Sequence, residues 1–175
     1  MYFRLIFMYL ATKLRRRISI LDELETWHRV LPNDLDPLGH MNNGRYFAIA
    51  DLARIEALLR SGLWKTMSAR GQYPVLAGAT IQFRIALEPF QLYRILTKVA
   101  GWDGKFIYVQ HIFQREGAVH SLALVKIRVV GKDRPHPADV LRYNVTGIPD
   151  TKMDGVIEKW NISSDDHWVS IQPGS

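Results

Sequence analysis

Between Asp34 and Tyr46 the chain reads Asp-Leu-Asp-Pro-Leu-Gly-His-Met-Asn-Asn-Gly-Arg-Tyr. Two carboxylates, an imidazole, two carboxamides and a phenol are gathered in one short segment. Pro37 and Gly39 interrupt regular structure, and Asn42 or Asn43 is a good N-cap for the apolar, helix-favouring run that follows from Phe47 to Leu63. Asp36 and His40 are therefore expected beside a helix N-terminus, where backbone N–H groups point outward and stabilise negative charge. A carboxylate next to such N–H groups is what acyl transfer requires: a base or nucleophile beside an oxyanion site.

The elements that must hold this segment follow from periodicity. A short strand is expected over Glu25–Leu31. A helix is expected from Asn43 to Gly62, with Phe47, Ala50, Leu58 and Leu59 on its apolar face and Gly62 as C-cap. Trp64–Gly71 adds a further helical turn or two. Ile81, Phe83, Ile85 and Leu87 alternate with polar or small residues, the period of a strand. Leu92–Gly101, Phe106–Gln114 and Ala118–Val130 are β-rich runs, and Asp103-Gly104 and Glu116-Gly117 between them are hairpin signals for antiparallel neighbours. The last run is apolar on both parities, so one side should meet the helix and the other a second subunit. Arg134-Pro-His-Pro137 ends the sheet, a short helix starts near Ala138, and the polar tail from Ser163 is expected to be mobile.

Taken together, Val30-Leu-Pro-Asn-Asp-Leu-Asp36, His40-Met-Asn-Asn-Gly-Arg-Tyr46, Asp51-Leu-Ala-Arg54, Leu87-Glu-Pro-Phe90 and Gly101-Trp-Asp103 resemble, in order, hotdog-fold acyl-CoA thioesterases of the 4-hydroxybenzoyl-CoA thioesterase type. They are most similar to the branch called thioesterase superfamily member 6 and its bacterial relatives. The resemblance spans Trp27 to Val130. It implies an α+β hotdog fold, an antiparallel sheet wrapped around a long central helix, acting on acyl-CoA as a homodimer or homotetramer with acyl pockets at the subunit interface. It also implies hydrolysis of the thioester to free acid and CoA, with no cofactor.

The resemblance assigns roles residue by residue. Asp36 matches the catalytic aspartate, which activates a water or attacks the thioester carbonyl directly; the plain alternative is an aspartate that caps the loop. His40 polarises the carbonyl, orients water or steadies Asp36, or is a loop histidine. The backbone N–H of Asn43 faces the thioester oxygen. Asn42, Tyr46 and Phe47 border the substrate, although capping explains Asn42 and core packing explains the two aromatics. Trp64 and Phe83 are further candidates for the acyl tunnel, and Arg84, Lys126 and Arg128 for the CoA phosphates. Asp34 reads as structural, and Asp51 with Arg54 as an i,i+3 ion pair. Leu38 stands where plant acyl-carrier-protein thioesterases have an asparagine, so an aspartate–asparagine–histidine network does not carry over. A non-catalytic acyl-binding protein and, further off, an acyl-thioester dehydratase are the competing readings.

Composition narrows the field. The 175 residues, 47% hydrophobic, suit one domain with a sizeable core over about residues 24–147, flanked by an N-terminal helix (1–20) and a C-terminal extension (148–175). Without cysteine there is no disulfide, thiolate metal site or cysteine nucleophile. The six histidines show no zinc-site spacing, and phosphate-loop and nucleophile-elbow motifs are absent.

The net charge of +6 belongs mostly to the N-terminus. Arg4, Lys13 and Arg15–Arg17 precede the first acid, Asp22, and 18 basic residues then face 17 acidic ones. This argues against a nucleic-acid surface. Phe3, Ile6, Phe7, Leu10 and Leu14 form one helical stripe, with Arg4 and Arg15 away from it. The apolar run Leu5–Ala11 is too short to span a bilayer, which takes about 20 residues. Two readings of residues 1–17 stay open: a helix lying on an anionic membrane surface, peripheral to a cytoplasmic protein, or one docked on its own domain or a partner subunit.

Overall fold

A computed structural model describes residues 2–132 and 134–170, with Tyr2 and the last seven by backbone alone. Helix α1 (Tyr2–Thr12) is followed by strand β1 (Leu24–Arg29), a 3-10 turn at Pro32–Asp34 and the long helix α2 (Asn43–Ser61). Next come α3 (Leu63–Ala69), β2 (Tyr73–Phe83), β3 (Leu92–Trp102), β4 (Ile107–Arg115) and β5 (Ala118–Val130). Helices α4 (Pro137–Arg142) and α5 (Gly155–Ser170) end the described chain.

The strands form one antiparallel sheet in the order β1-β3-β4-β5-β2, wrapped around α2. Buried residues of α2 divide its core in two. Tyr46, Ile49, Ala50 and Ala53 pack with Val30, Met41, Leu87, Tyr93, Ile95 and Phe113 beneath the polar turn. Toward the other end, Leu63, Met67, Trp102, Val125, Val140 and Leu141 form a second cluster. This is the α+β hotdog architecture.

Local chemistry explains the boundaries of α2. The Asn42 side chain accepts the Gly44 N–H at its start, and Gly62 takes the left-handed conformation at its end (φ 77°). The β4–β5 hairpin turns on Glu116 and Gly117, both at positive φ.

The structure corrects one expectation and qualifies two others. The strand read around Ile81–Leu87 begins eight residues earlier, at Tyr73, and stops at Phe83. Pro74 and the bulge between Leu76 and Gly78 hide its pattern, and both are tolerated because β2 is an edge strand. Part of the outer side of β4–β5 is covered from within the chain, while Val119 and Leu122 on β5 stay exposed. On the covered part Ile157, Trp160 and Met153 pack on Phe106, Tyr108 and Leu124. The polar stretch from Ser163 continues α5 to Ser170, a helix started by Asp154, whose carboxylate accepts the Val156 and Ile157 N–H groups. Residues 171–175 lie outside the described residues.

Helix α1 docks on its own domain, with the face opposite its apolar stripe. Met8 is buried, Arg4 reaches Asp34, and Arg15 pairs with the buried Glu56 of α2 at 2.6 Å. Phe3, Ile6, Phe7, Leu10 and Leu14 stay on the outside, Leu14 92% exposed. Among the described residues, no helix is long and apolar enough to cross a membrane.

Candidate active site

The segment from Asp34 to Asn43 is a tight loop returning to the start of α2. A bridge between Leu35 and Met41 closes it, and Asp36 and His40 face each other through a backbone bond (Asp36 N–H to His40 O, 2.9 Å). Gly39, at φ 82°, makes the reversal possible. The loop is pinned on two sides: Met41 N–H donates to Leu87 O and Asn42 N–H to Asp34 O, both at 2.8 Å.

Within it the two aspartates have opposite surroundings. Asp34 is wholly buried and accepts five hydrogen bonds. Arg45 donates Nε (2.9 Å) and Nη2 (2.8 Å) to Oδ1, where Arg4 Nη1 also arrives at 3.2 Å. Oδ2 accepts Arg4 Nη2 (2.5 Å) and the Leu31 N–H (2.9 Å). Burial alone would raise the carboxyl pKa, but the Leu31 N–H and the two arginines outweigh it and hold the group below the ordinary carboxylate range. With its lone pairs occupied, Asp34 is a structural hub, as its sequence context suggested.

Asp36 is half-buried at the surface of the loop. Its Oδ1 accepts the Leu38 (2.9 Å) and His40 (3.2 Å) N–H groups, while Oδ2 receives no hydrogen bond from the described residues. One oxygen is thus fixed and the other is open to a water or a carbonyl carbon. His40 is exposed, and its hydrogen bonds with Asp36 run through the His40 backbone. At the start of α2, the Gly44 N–H is taken by Asn42 Oδ1 and the Arg45 N–H by Asn42 O. The Asn43 N–H has no such partner among the described residues, as is usual for the first residue of a helix.

The other candidates separate. Tyr46 is core, 2% exposed, edge-on to Phe83 and Phe113 with centroids at 5.0 Å from each. Phe47 is half-buried against the second cluster. Trp64 and Phe83 are partly exposed, 41% and 40%. Lys126 is buried under α5, its Nζ 3.1 Å from Asn161 Oδ1 and facing the Phe106 and Trp160 rings, a poor position for a CoA phosphate. The Asp51–Arg54 pair forms as expected.

Sequence reasoning missed what Arg54 does next. Its Nη1 donates to His111 Nε2 (2.9 Å), and His111 Nδ1–H donates to Thr97 Oγ1 (2.9 Å) in the helix–sheet core. Burial, with Arg54 adding to it, lowers His111 to a pKa of about 3, so the ring is neutral. Residues 57 positions apart leave no local signal of such a chain. Groups of side chains able to hold a metal ion are absent among the described residues.

Residues 30–147 match the model of the thioesterase-like superfamily. The chain belongs to this family. It is 39% identical to Protein THEM6 of Xenopus laevis over 104 residues, covering 58% of this chain and 50% of the frog protein. It is 32% identical over 117 residues to a probable thioesterase of Saccharomyces cerevisiae, covering 64% of this chain and 50% of the yeast protein. The chain therefore spans about half the length of these relatives. Among solved structures, the probable thioesterase YbaW of Escherichia coli superposes with a TM-score of 0.64 at 24% identity, over 69% of this chain and 95% of its own. The BH1999 gentisyl-coenzyme A thioesterase does so with a TM-score of 0.60 at 21% identity, over 71% of this chain and all of its own. These two likenesses establish the hotdog fold. The family match points to thioester chemistry.

Proposed function

We propose that the protein is a hydrolase that cleaves acyl-CoA thioesters to free acid and CoA, using Asp36 as base or nucleophile. The observation that carries this reading is the half-open Asp36 carboxylate, fixed through one oxygen and free at the other, on a loop closed against the start of α2. The Asn43 N–H would receive the thioester oxygen as negative charge develops, worth about 3–4 kcal/mol in comparable oxyanion sites. His40 would orient water or the carbonyl from the exposed side of the loop, with Asn42 beside the substrate.

The experiment is free-thiol release from short-, medium- and long-chain and aromatic acyl-CoAs, run beside Asp36→Ala. The wild type is expected to turn over at least one acyl class, and the variant to lose activity about a thousandfold while keeping its circular dichroism spectrum. Wild-type inertness toward every thioester would favour the acyl-binding reading; turnover that survives the substitution would remove Asp36 from the chemistry.

The working unit would be a homodimer or homotetramer assembled through exposed sheet surface. The outward apolar stripe of α1 supports peripheral contact with an anionic membrane surface, with Lys13, Arg16 and Arg17 beside the headgroups.

A further inference from the structure

Arg4 lies outside the segment that matches the family model, yet it is one of three groups holding the Asp34 carboxylate. Its side chain is 15% exposed and engages Asp34 through both terminal nitrogens, while Nη2 also donates to the Arg29 carbonyl at the end of β1 (2.8 Å). One side chain thereby joins α1, β1 and the catalytic loop. From Asp34 the connections run in three directions. The carboxylate holds Arg45 in the first turn of α2, its carbonyl holds the Asn42 N–H at the N-cap, and two residues onward is Asp36. The placement of the Asp36 carboxylate relative to the helix start thus depends on a carboxylate whose donors come partly from α1.

We propose that Arg4 is a positioning residue of the active site, acting through Asp34 to hold the Asp36 loop against the N-terminus of α2. This makes α1 a working part of the catalytic apparatus. The inference rests on the thioesterase reading for its kinetic consequence, though not for its structural one. Arg4 touches no substrate in this account. Without it, Asp34 keeps Arg45 and the Leu31 N–H but loses two charge-assisted bonds, and the loop gains freedom on the side away from α2. Misplacement of a reacting group by about 1 Å costs up to about a hundredfold in rate without weakening ground-state binding.

Arg15 is the natural control. Three residues past the end of α1, it also ties the N-terminal segment to the domain, but to Glu56, about 20 Å along α2 from Asn43 at 1.5 Å per residue. Arg4→Ala, Arg4→Lys and Arg15→Ala would be compared with the wild type for kcat and KM on the best substrate of the acyl-CoA panel. Hydrogen exchange of the Leu38 and His40 amides, the two that bind Asp36, would be followed in parallel. Arg4→Ala is expected to lower kcat about ten- to a hundredfold with KM within about twofold, and to speed exchange at both amides. Arg4→Lys, which keeps the charge but not the two-pronged contact, should fall between, and serves if the alanine variant fails to fold. Arg15→Ala should leave kcat and both amides near the wild type.

Unchanged kcat and exchange in Arg4→Ala would overturn the proposal. So would an equal loss in Arg15→Ala, which would assign the effect to docking of α1 as a whole. If the wild type hydrolyses no thioester, the functional reading falls, and the exchange rates alone decide the positioning claim.

Discussion

Asp34 and Asp36 are the same residue type two positions apart, and their solvation alone gives them different work. Asp34 is out of water with every lone pair spoken for; Asp36 keeps one oxygen in reach of solvent. Asp34→Asn should therefore destabilise the fold by about 3–5 kcal/mol, because it leaves the Arg4 and Arg45 guanidiniums without a counter-charge. Asp36→Asn, which retains an acceptor for two amides at a half-open site, should cost less than about 1 kcal/mol. Urea unfolding of the two variants separates the roles without any substrate.

Two histidines, the half-buried His28 and the buried His111, give a second test. Burial, aided by the charges of Arg4 and Arg15, lowers His28 to about 4, and burial with Arg54 lowers His111 to about 3. Between the unfolded value of about 6.5 and these folded values, the unfolded chain binds protons the native protein refuses, so stability falls as the pH is lowered. The expected slope approaches about 1.4 kcal/mol per pH unit for each histidine. Urea midpoints at pH 7, 6 and 5 measure it, and a flat profile would mean that the rings are protonated in place.

The loop residues could be read from sequence because Asp36, His40, Asn42 and Asn43 are neighbours along the chain. The Arg4–Asp34 contact and the Arg54–His111–Thr97 chain could not, since 30 and 57 positions separate their first pairs and any arginine is compatible with a solvated surface.

Elements were legible where one physical signal dominated. Helix α2 carries a cap at each end, and β3, β4 and β5 are β-rich runs separated by glycine-containing turns. Strand β2 was displaced in the reading because an edge strand needs no clean alternation: 11 residues long, it has exposed positions on both parities and a proline that a central strand would reject. Helix α1 was ambiguous for a different reason. Its stripe of Phe3, Ile6, Phe7, Leu10 and Leu14 suggests a buried face, but the arginines and Met8 won the docking and turned that stripe to the outside.

That orientation has a measurable consequence. A face of one short helix, about 16 Å long and about 10 Å wide, is well below the roughly 800 Å² per partner of a stable protein interface, but it suits insertion at a bilayer surface. The protein should co-sediment with vesicles containing phosphatidylserine and much less with neutral ones, and binding should fade as salt rises. Phe7→Ser with Leu14→Ser should abolish it. Those two side chains lie on the exposed face, so the thermal midpoint should stay near the wild type. Salt-insensitive binding to neutral vesicles would remove the electrostatic part of this account. Absence of binding to either would remove the membrane reading.

Taken as a whole molecule, the sheet is finished on one side and unfinished at one edge. Helix α2 fills its concave face, and Ile157 and Trp160 of α5 cover part of the other. Strand β2 lies at the edge beside β5 with no strand beyond it among the described residues, and Tyr73, Val75, Leu76 and Phe83 on it are 40–56% exposed. An open edge carrying large apolar side chains is a template for pairing, and it is normally blunted by charge or shortness. Among the described residues, β2 has neither safeguard: 11 residues long, it contains no charged side chain. Pro74 interrupts pairing only at its start, and the bulge at Leu76/Gly78 bends it without covering it. The apolar wall that β2 leaves open continues to the rings of the cluster beneath the polar turn, where Phe83 meets Tyr46. Closure of this edge by a second copy would therefore bury apolar area and shield one side of the proposed site from water. Val75→Lys with Leu76→Lys should shift the protein from oligomer to monomer in sedimentation velocity, since a two-fold contact through this edge would bring the added charges of both copies into one interface. Thioester turnover should fall with the monomer fraction. A charged edge that leaves sedimentation unchanged would move the subunit interface to another surface, and monomers with full turnover would mean that one subunit holds a complete site.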